Sequence, residues 1–301
     1  MSEALLGTEA AFARYEAVRP RLPEARFASV SVHLPTLSEV ADAYDGFLLD
    51  AFGVLNVGET AITGAVDRMA ELRRRGKRLC VLTNAASYTR RGVLAKYHRL
   101  GFDFTADEVV SSRDVAVARL SVIAPGAHWA CIAAAEDTFE DIPARLTDAL
   151  AHPEAFDSAD AILFLSSVRW TDALQDRLLS ALARNPRPVV VANPDLVAPR
   201  EADLSQEPGL FTHHILDRLG VPVHWFGKPF SDAFDDALAW IDLAADRVAM
   251  VGDTLHTDVL GGAAAGCGTV LITDHGLFRG HDVRPFIARS GITPDVIIRT
   301  T

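Results

Sequence analysis

Four short segments of this chain carry side chains capable of chemistry, each closing an apolar run. Asp50 follows GFLL, Thr83-Asn84 ends RLCVL, Gly227-Lys228-Pro229 follows a run ending at Trp225-Phe226, and Gly252-Asp253-Thr254-Leu255-His256-Thr257-Asp258 follows VAMV. Singly, each has an ordinary explanation: an Asp at a strand end caps a helix, Thr-Asn makes a turn, and Gly-Lys-Pro makes a surface bend. Together they are complementary. Carboxylates hold a hard divalent cation through oxygen, while a lysine and a hydroxyl neutralise and orient phosphate oxygens. This is a toolkit for phosphoryl transfer, provided the fold delivers the four segments to one place.

The elements between them supply that condition. Short apolar runs alternate with amphipathic helical stretches along most of the chain, the pattern of an α/β fold with a Rossmann-like parallel sheet covered by helices. In such a sheet ligands bind beyond the carboxyl ends of the strands, where all four segments lie. Strands are expected at 46–52, 78–84 and 108–112, and helices from Ala65 to Gly76 and from Tyr88 to Leu100. From about Arg113 the pattern restarts, with strands beginning at His128, Asp160 and Pro188, and after Asp203 the first pattern resumes. The expected organisation is therefore a helical arm over 1–40, a core domain over 41–113 and 204–301, and an inserted α/β cap over 114–203.

Composition narrows the function. A chain that is 49% hydrophobic and 23% charged has the make-up of a folded globular protein, not a disordered one. Its formal charge of −11 repels polyphosphate, which argues against a nucleic-acid partner and means that any anionic ligand needs a locally built site. Cys80, Cys131 and Cys267 are widely spaced and fit neither a disulfide framework nor a zinc site. The charged N-terminal segment lacks the apolar core of a secretory signal, and there is no long uncharged stretch for a membrane span, so a cytoplasmic location is expected.

In order and spelling, the four segments resemble the haloacid dehalogenase superfamily of phosphatases and phosphotransferases. The large insertion, the GDxxxTD string, Gly-Lys-Pro and the Asn193-Pro194-Asp195 turn resemble its class IIA branch, whose members include nucleotide, pyridoxal phosphate and p-nitrophenyl phosphatases. The resemblance implies a cap of the C2 type and an aspartyl-phosphate formed on Asp50. It implies that Thr83 binds the transferring phosphoryl group, with Asn84 shaping that loop and Lys228 offsetting charge. Mg2+ would be held by Asp50, Asp253, Asp258 and the backbone carbonyl of residue 52. Asp258 could equally act by capping the helix that follows. Asn193 and Asp195 would face the substrate, a small phosphorylated metabolite. A second copy of the chain is a further expected partner if the arm serves dimerisation; otherwise the arm pads the core.

The chain departs from the family at position 52. Phosphatases of the superfamily carry an Asp there that moves protons for the leaving group and the water; here it is Phe52, whose side chain cannot. Loss of a general acid–base typically costs about 10²- to 10⁴-fold in rate. Three readings follow: a slow Mg2+-dependent phosphatase or phosphotransferase, a weakened relative that binds a phosphometabolite or a protein, and a metal-free dehalogenase. Retention of Asp253 and Asp258 favours the first over the third. His256 could serve as a substitute acid, although a solvent-facing loop histidine is the simpler expectation.

Other segments carry less. Gly227-Lys228 lacks the earlier glycine and the following Ser or Thr of a nucleotide P-loop, and Gly266-Cys267-Gly268 precedes a strand where a dinucleotide fingerprint would open a helix. His213 and His214 are adjacent on an expected helix and face apart, which disfavours a shared metal. Trp129, Trp170, Trp225 and Trp240 are read as packing residues, and Arg73 to Arg75 as a solvated helix face.

Overall fold

The computed structural model describes residues 7–200 and 203–301; residues 1–6 of the expected arm and residues 201–202 of the expected cap lie outside it. Two all-parallel sheets organise the chain. The larger has seven strands in the spatial order Val32–Thr36, Val296–Thr300, Gly268–Ile272, Val248–Gly252, Gly46–Leu49, Arg78–Thr83 and Val109–Ser111. The smaller has five, in the order Val223–Trp225, Val189–Val191, Ala161–Phe164, His128–Ile132 and Arg145–Asp148. The central strands of both are apolar throughout and buried on both faces, as parallel strands covered by helices must be.

The position of the site follows from the strand order. From Gly46–Leu49 the chain proceeds to Arg78–Thr83 on one side, while the neighbour on the other side is Val248–Gly252. The order reverses between these two strands, and the crevice beyond such a reversal is where open α/β sheets bind ligands. Register aligns Leu49 with Val251, and the Asp50 amide donates to the Val251 carbonyl (2.9 Å). Asp50 and Asp253 therefore leave adjacent strands at the same level.

Two of the expected boundaries shift. The strand Val32–Thr36 lies within the segment expected to be a helical arm, yet it pairs with Val296–Thr300 as an edge of the larger sheet. Its Pro35 and mostly exposed residues hide it from a hydropathy reading, and both are features of an edge strand. Among the described residues of that segment the helical parts are Thr8–Val18 and the single turns Arg19–Arg21 and Leu37–Val40. At the other boundary, Val223–Trp225 pairs with Val189–Val191 in the smaller sheet, so the cap's sheet extends past residue 203 to residue 225. The helix Pro208–Arg218 packs there as well, with Phe211 and Ile215 among the smaller sheet's core residues.

The expected solvated arginine face is also different. Arg73 pairs with Glu108 (2.5 Å) and Arg75 with Asp42 (2.7 Å), while Arg74 is exposed. Cys80, Cys131 and Cys267 are buried thiols. Among the described residues no helix is long and apolar enough to cross a membrane.

Candidate active site

Asp50 is nearly buried at the end of its strand. Its Oδ1 pairs with Lys228 Nζ at 2.6 Å and accepts from the Ala51 amide at 2.7 Å, which fixes the orientation of the carboxylate. The same ammonium lies 2.7 Å from Asp258 Oδ1. Burial raises the Asp50 carboxyl to about 6; Lys228 pulls it down and Asp258 pushes it up. Burial by itself lowers the Lys228 ammonium, but Asp258, Asp50 and Asp195 more than offset it and hold the lysine charged.

Asp253 and Asp258 sit on the loop that leaves the adjacent strand. Asp253 Oδ2 accepts from the Leu277 amide (2.7 Å) and its Oδ1 from the Thr254 hydroxyl (3.0 Å). Asp258 Oδ2 caps the wide turn Leu255–Val259 by accepting from the Asp253 and Thr254 amides (3.1 and 3.0 Å). The capping expectation for Asp258 is met, and the side chain also joins an acidic cluster: Asp50, Asp253 and Asp258 each present an oxygen within 4.8 Å of the others, and all three are buried. Burial first, then Asp258 and Asp50, raise the Asp253 carboxyl to about 8.

Such crowding of desolvated carboxylates is unfavourable with a single lysine to balance it. A divalent cation would relieve it, and oxygen donors are the set a hard cation prefers, so the residues fit one. Glycines make the room. Gly53 has φ +79°, and a Cβ there would come within 2.7 Å of Asp253 Cβ; at Gly276 a Cβ would meet Asp253 Oδ2 at 2.0 Å.

Thr83 is buried at the end of its strand, its hydroxyl accepting from the Ala85 amide (3.1 Å). Asn84 acts as a clamp. Its Oδ1 accepts from the Lys228 amide (2.7 Å), and its Nδ2 donates to the Lys228 carbonyl and to Asp195 Oδ1 (both 2.9 Å). One amide thus fixes the lysine loop and reaches the cap turn. Asn193 Oδ1 accepts from the Asp195 amide (3.0 Å), and its Nδ2 donates to Glu207 Oε2 (3.0 Å). These bonds make Asn193 a turn former, and both Asn193 and Asp195 line the cavity. Burial, opposed by Lys228 and reinforced by Asp50, pushes the Asp195 carboxyl well above the ordinary range.

The cavity, of about 860 Å³, lies between the two sheets. Its floor is Asp50, Phe52, Thr83 and Asp253, and the facing wall includes Ser166, Ser167, Asn193 and Arg200. Volume and polarity suit a small organic molecule.

His256 fits neither expectation. It is fully buried and turned away from the cavity, toward the N-terminal helix: its Nε2 lies 2.5 Å from Glu16 Oε1 and its ring stacks on Tyr15. Burial, which outweighs the pull of Glu16, lowers its pKa to about 4, so at neutral pH it is an uncharged donor to Glu16. His213 and His214 also do separate work, His213 stacked on Trp225 and His214 beside Gln175.

Sequence reasoning missed Lys96, Arg200, Glu207 and Tyr15. Lys96 Nζ lies 4.7 Å and Arg200 Cζ 5.0 Å from the Phe52 ring centre. Arg200 is held by Ser205 (2.9 Å) and the buried Glu207 (3.1 Å). One signal was available for Glu207. It precedes Pro208, and a proline there marks a helix start; in the fold that start presses against the Asn193–Asp195 turn, where a Cβ at Gly209 would strike the Pro194 carbonyl at 2.0 Å.

Residues 47–141 match the model of the haloacid dehalogenase-like hydrolases, and residues 225–299 match a second, described as HAD-hydrolase-like. A glycerol-3-phosphate phosphatase from Gallus gallus is 31% identical over 281 residues, covering 84% of this chain and 88% of that one. The chain belongs to the haloacid dehalogenase-like hydrolases. Among solved structures, a possible sugar phosphatase from Cytophaga hutchinsonii has a TM-score of 0.79 at 25% identity, over 90% of this chain and 98% of that one. A glycerol phosphate phosphatase from Mycobacterium tuberculosis in complex with magnesium has a TM-score of 0.63 at 25% identity, over 82% of this chain and 77% of that one. Within the family, such neighbours put this hydrolase among the class IIA members, as its two parallel sheets suggest.

Proposed function

We propose that this hydrolase cleaves small organic phosphate monoesters with the help of Mg2+, using Asp50 as the nucleophile. One observation carries the reading: Asp50, Lys228, Asp253 and Asp258 converge at the strand-order reversal, and two of them, Asp50 and Asp253, open onto a cavity sized for a metabolite. The named activities of the relatives support the substrate class, and the magnesium complex of one neighbour supports the choice of ion.

Asp50, Asp253, Asp258 and the Phe52 carbonyl would hold the cation, which would supply charge neutralisation at the phosphate oxygens. An Asp50 carboxylate oxygen bonds to phosphorus while the bond to the ester oxygen breaks, its electron pair leaving with that oxygen. Lys228 keeps Asp50 ionised and offsets charge on the phosphoryl oxygens, and the Thr83 hydroxyl donates to one of them. Water then attacks the aspartyl-phosphate, releasing inorganic phosphate and restoring the carboxylate. Asn193 and Asp195 face the remainder of the substrate from the cap.

Phe52 sets a limit. With no proton donor at that position, esters whose leaving group departs as a stable anion, such as aryl phosphates, are favoured over alkyl phosphates. The test is phosphate release from p-nitrophenyl phosphate and a panel of metabolite phosphates, with Mg2+ and with chelator. Metal-dependent turnover is expected, with aryl esters fastest; inactivity across the panel would remove the hydrolytic reading. Phe52 also favours a second reading, a relative that binds phosphometabolites without turning them over. Saturable binding with no release of phosphate would select it.

A further inference from the structure

The helix Thr8–Val18 lies across the junction of the two sheets. On the core side, the Thr8 hydroxyl donates to the Leu277 carbonyl (2.9 Å), Glu9 pairs with Arg289 (2.9 Å) and Phe12 meets Phe286 edge-on, 5.0 Å between ring centres. On the cap side, Arg14 and Arg21 both reach Asp217 on the helix Pro208–Arg218 (2.6 and 2.7 Å). Leu196, Val197 and Leu210 of the cap share an apolar cluster with Phe12, Tyr15 and the core residues Leu255 and Val259.

Tyr15 is where these two sets of contacts meet. Its ring stacks on His256, 4.9 Å between centres with planes 9° apart, inside the loop that joins Asp253 to Asp258. Its hydroxyl accepts from the Leu196 amide (3.1 Å), the residue after Asp195. The side chain is 2% exposed, so no water substitutes readily for either contact. Burial and the nearby Asp195 raise the phenol well above its ordinary range and keep it neutral.

We propose that Tyr15 is a positioning residue that fixes the cap turn Asn193–Asp195 against the loop Asp253–Asp258. Caps and lids over active sites usually swing, and where they stop determines which groups meet the substrate. Here a side chain from outside both sheets spans the gap and sets the stop. The aryl ring holds one half of the site by stacking, and the oxygen holds the other by accepting a backbone proton. The kinetic consequence rests on the hydrolytic reading above; the mechanical one does not.

Tyr15→Phe keeps the ring and deletes the oxygen, leaving a buried amide unpaired, which shifts an equilibrium by roughly 5- to 100-fold. With p-nitrophenyl phosphate and Mg2+ we expect KM to rise within that range while kcat changes by less than about threefold. Hydrogen exchange of the full chain, compared for wild type and variant, is expected to speed up at 193–197 and 253–259 and to stay unchanged in the central strands. Asp217→Asn loosens the helix at its other cap anchor and should raise exchange at 193–197 to a smaller degree. Unchanged KM and unchanged exchange in Tyr15→Phe would overturn the proposal. So would a uniform loss of protection with KM preserved, which marks a residue of general stability. If wild type turns over nothing, the hydrolytic reading fails and exchange alone decides: faster exchange in both segments upholds the role of Tyr15, and any other pattern removes it.

Discussion

The guanidinium of Arg200 lies 5.0 Å from the centre of the Phe52 ring, and Lys96 Nζ lies 4.7 Å from the same centre. The residue that stands where the family has its proton-moving Asp is thus a platform for two cations, one from a core helix and one from the cap. Cation–π contacts of this kind contribute about 0.5–2 kcal/mol each. Phe52 is therefore integrated into this site through both cations.

Phe52→Asp is expected not to raise kcat. A carboxylate at that position would sit among Lys96 and Arg200, and opposite charges favour its ionised form, the form that cannot donate a proton. The check is kcat for an alkyl and an aryl phosphate across neutral pH. A tenfold gain on the alkyl ester would mean that the cations leave the new acid free to work.

Asp50→Asn is expected to lower turnover by at least about 10³-fold, since an amide oxygen is a poor nucleophile, while circular dichroism stays that of wild type. Lys228→Met should behave differently. It strands Asp50 and Asp258 without their shared partner, and breaking a buried pair costs about 3–5 kcal/mol. Urea unfolding should register that loss for Lys228→Met and little for Asp50→Asn.

Mg2+ should stabilise the folded chain. The three clustered carboxylates are buried together, and a ligand bound only by the native state adds stability as its concentration rises. A rise in Tm with Mg2+ that disappears in Asp253→Asn is expected; an equal rise in both proteins would place the ion elsewhere.

His213 should make the protein acid-sensitive. Burial first, then Arg21 and Arg14, lower its pKa from 6.5 to about 3, and Arg21 Nη1 approaches its Nδ1 at 3.4 Å, which suits an unprotonated nitrogen. A depressed folded-state pKa means that the unfolded chain binds the proton first, so this contribution is complete above 6.5 and is lost as pH falls toward 3. Between pH 6.5 and about 4.5 the loss is about 2 kcal/mol. Urea unfolding at those two pH values should separate further for wild type than for His213→Gln.

The sequence alone determined the α/β class and the residues gathered at the strand ends. Parallel sheets require doubly buried apolar strands, visible as short runs such as GFLL and VAMV, and they place every carboxyl end on one edge. Asp50, Thr83, Lys228 and Asp253 could therefore be grouped before any coordinate was known. The tertiary structure decided what depends on partners distant in the chain. Val223–Trp225 is too short for its hydropathy to say which sheet it joins, and Val32–Thr36 reads as surface because edge strands are half exposed. Nothing near His256 in sequence foretold that a helix some 240 residues earlier would bury it. The cations around Phe52 come from a core helix and a cap segment that meet through packing alone. Periodicity records which faces a chain must bury, whereas the identity of the covering surface is set by the sum of many weak contacts across the whole fold.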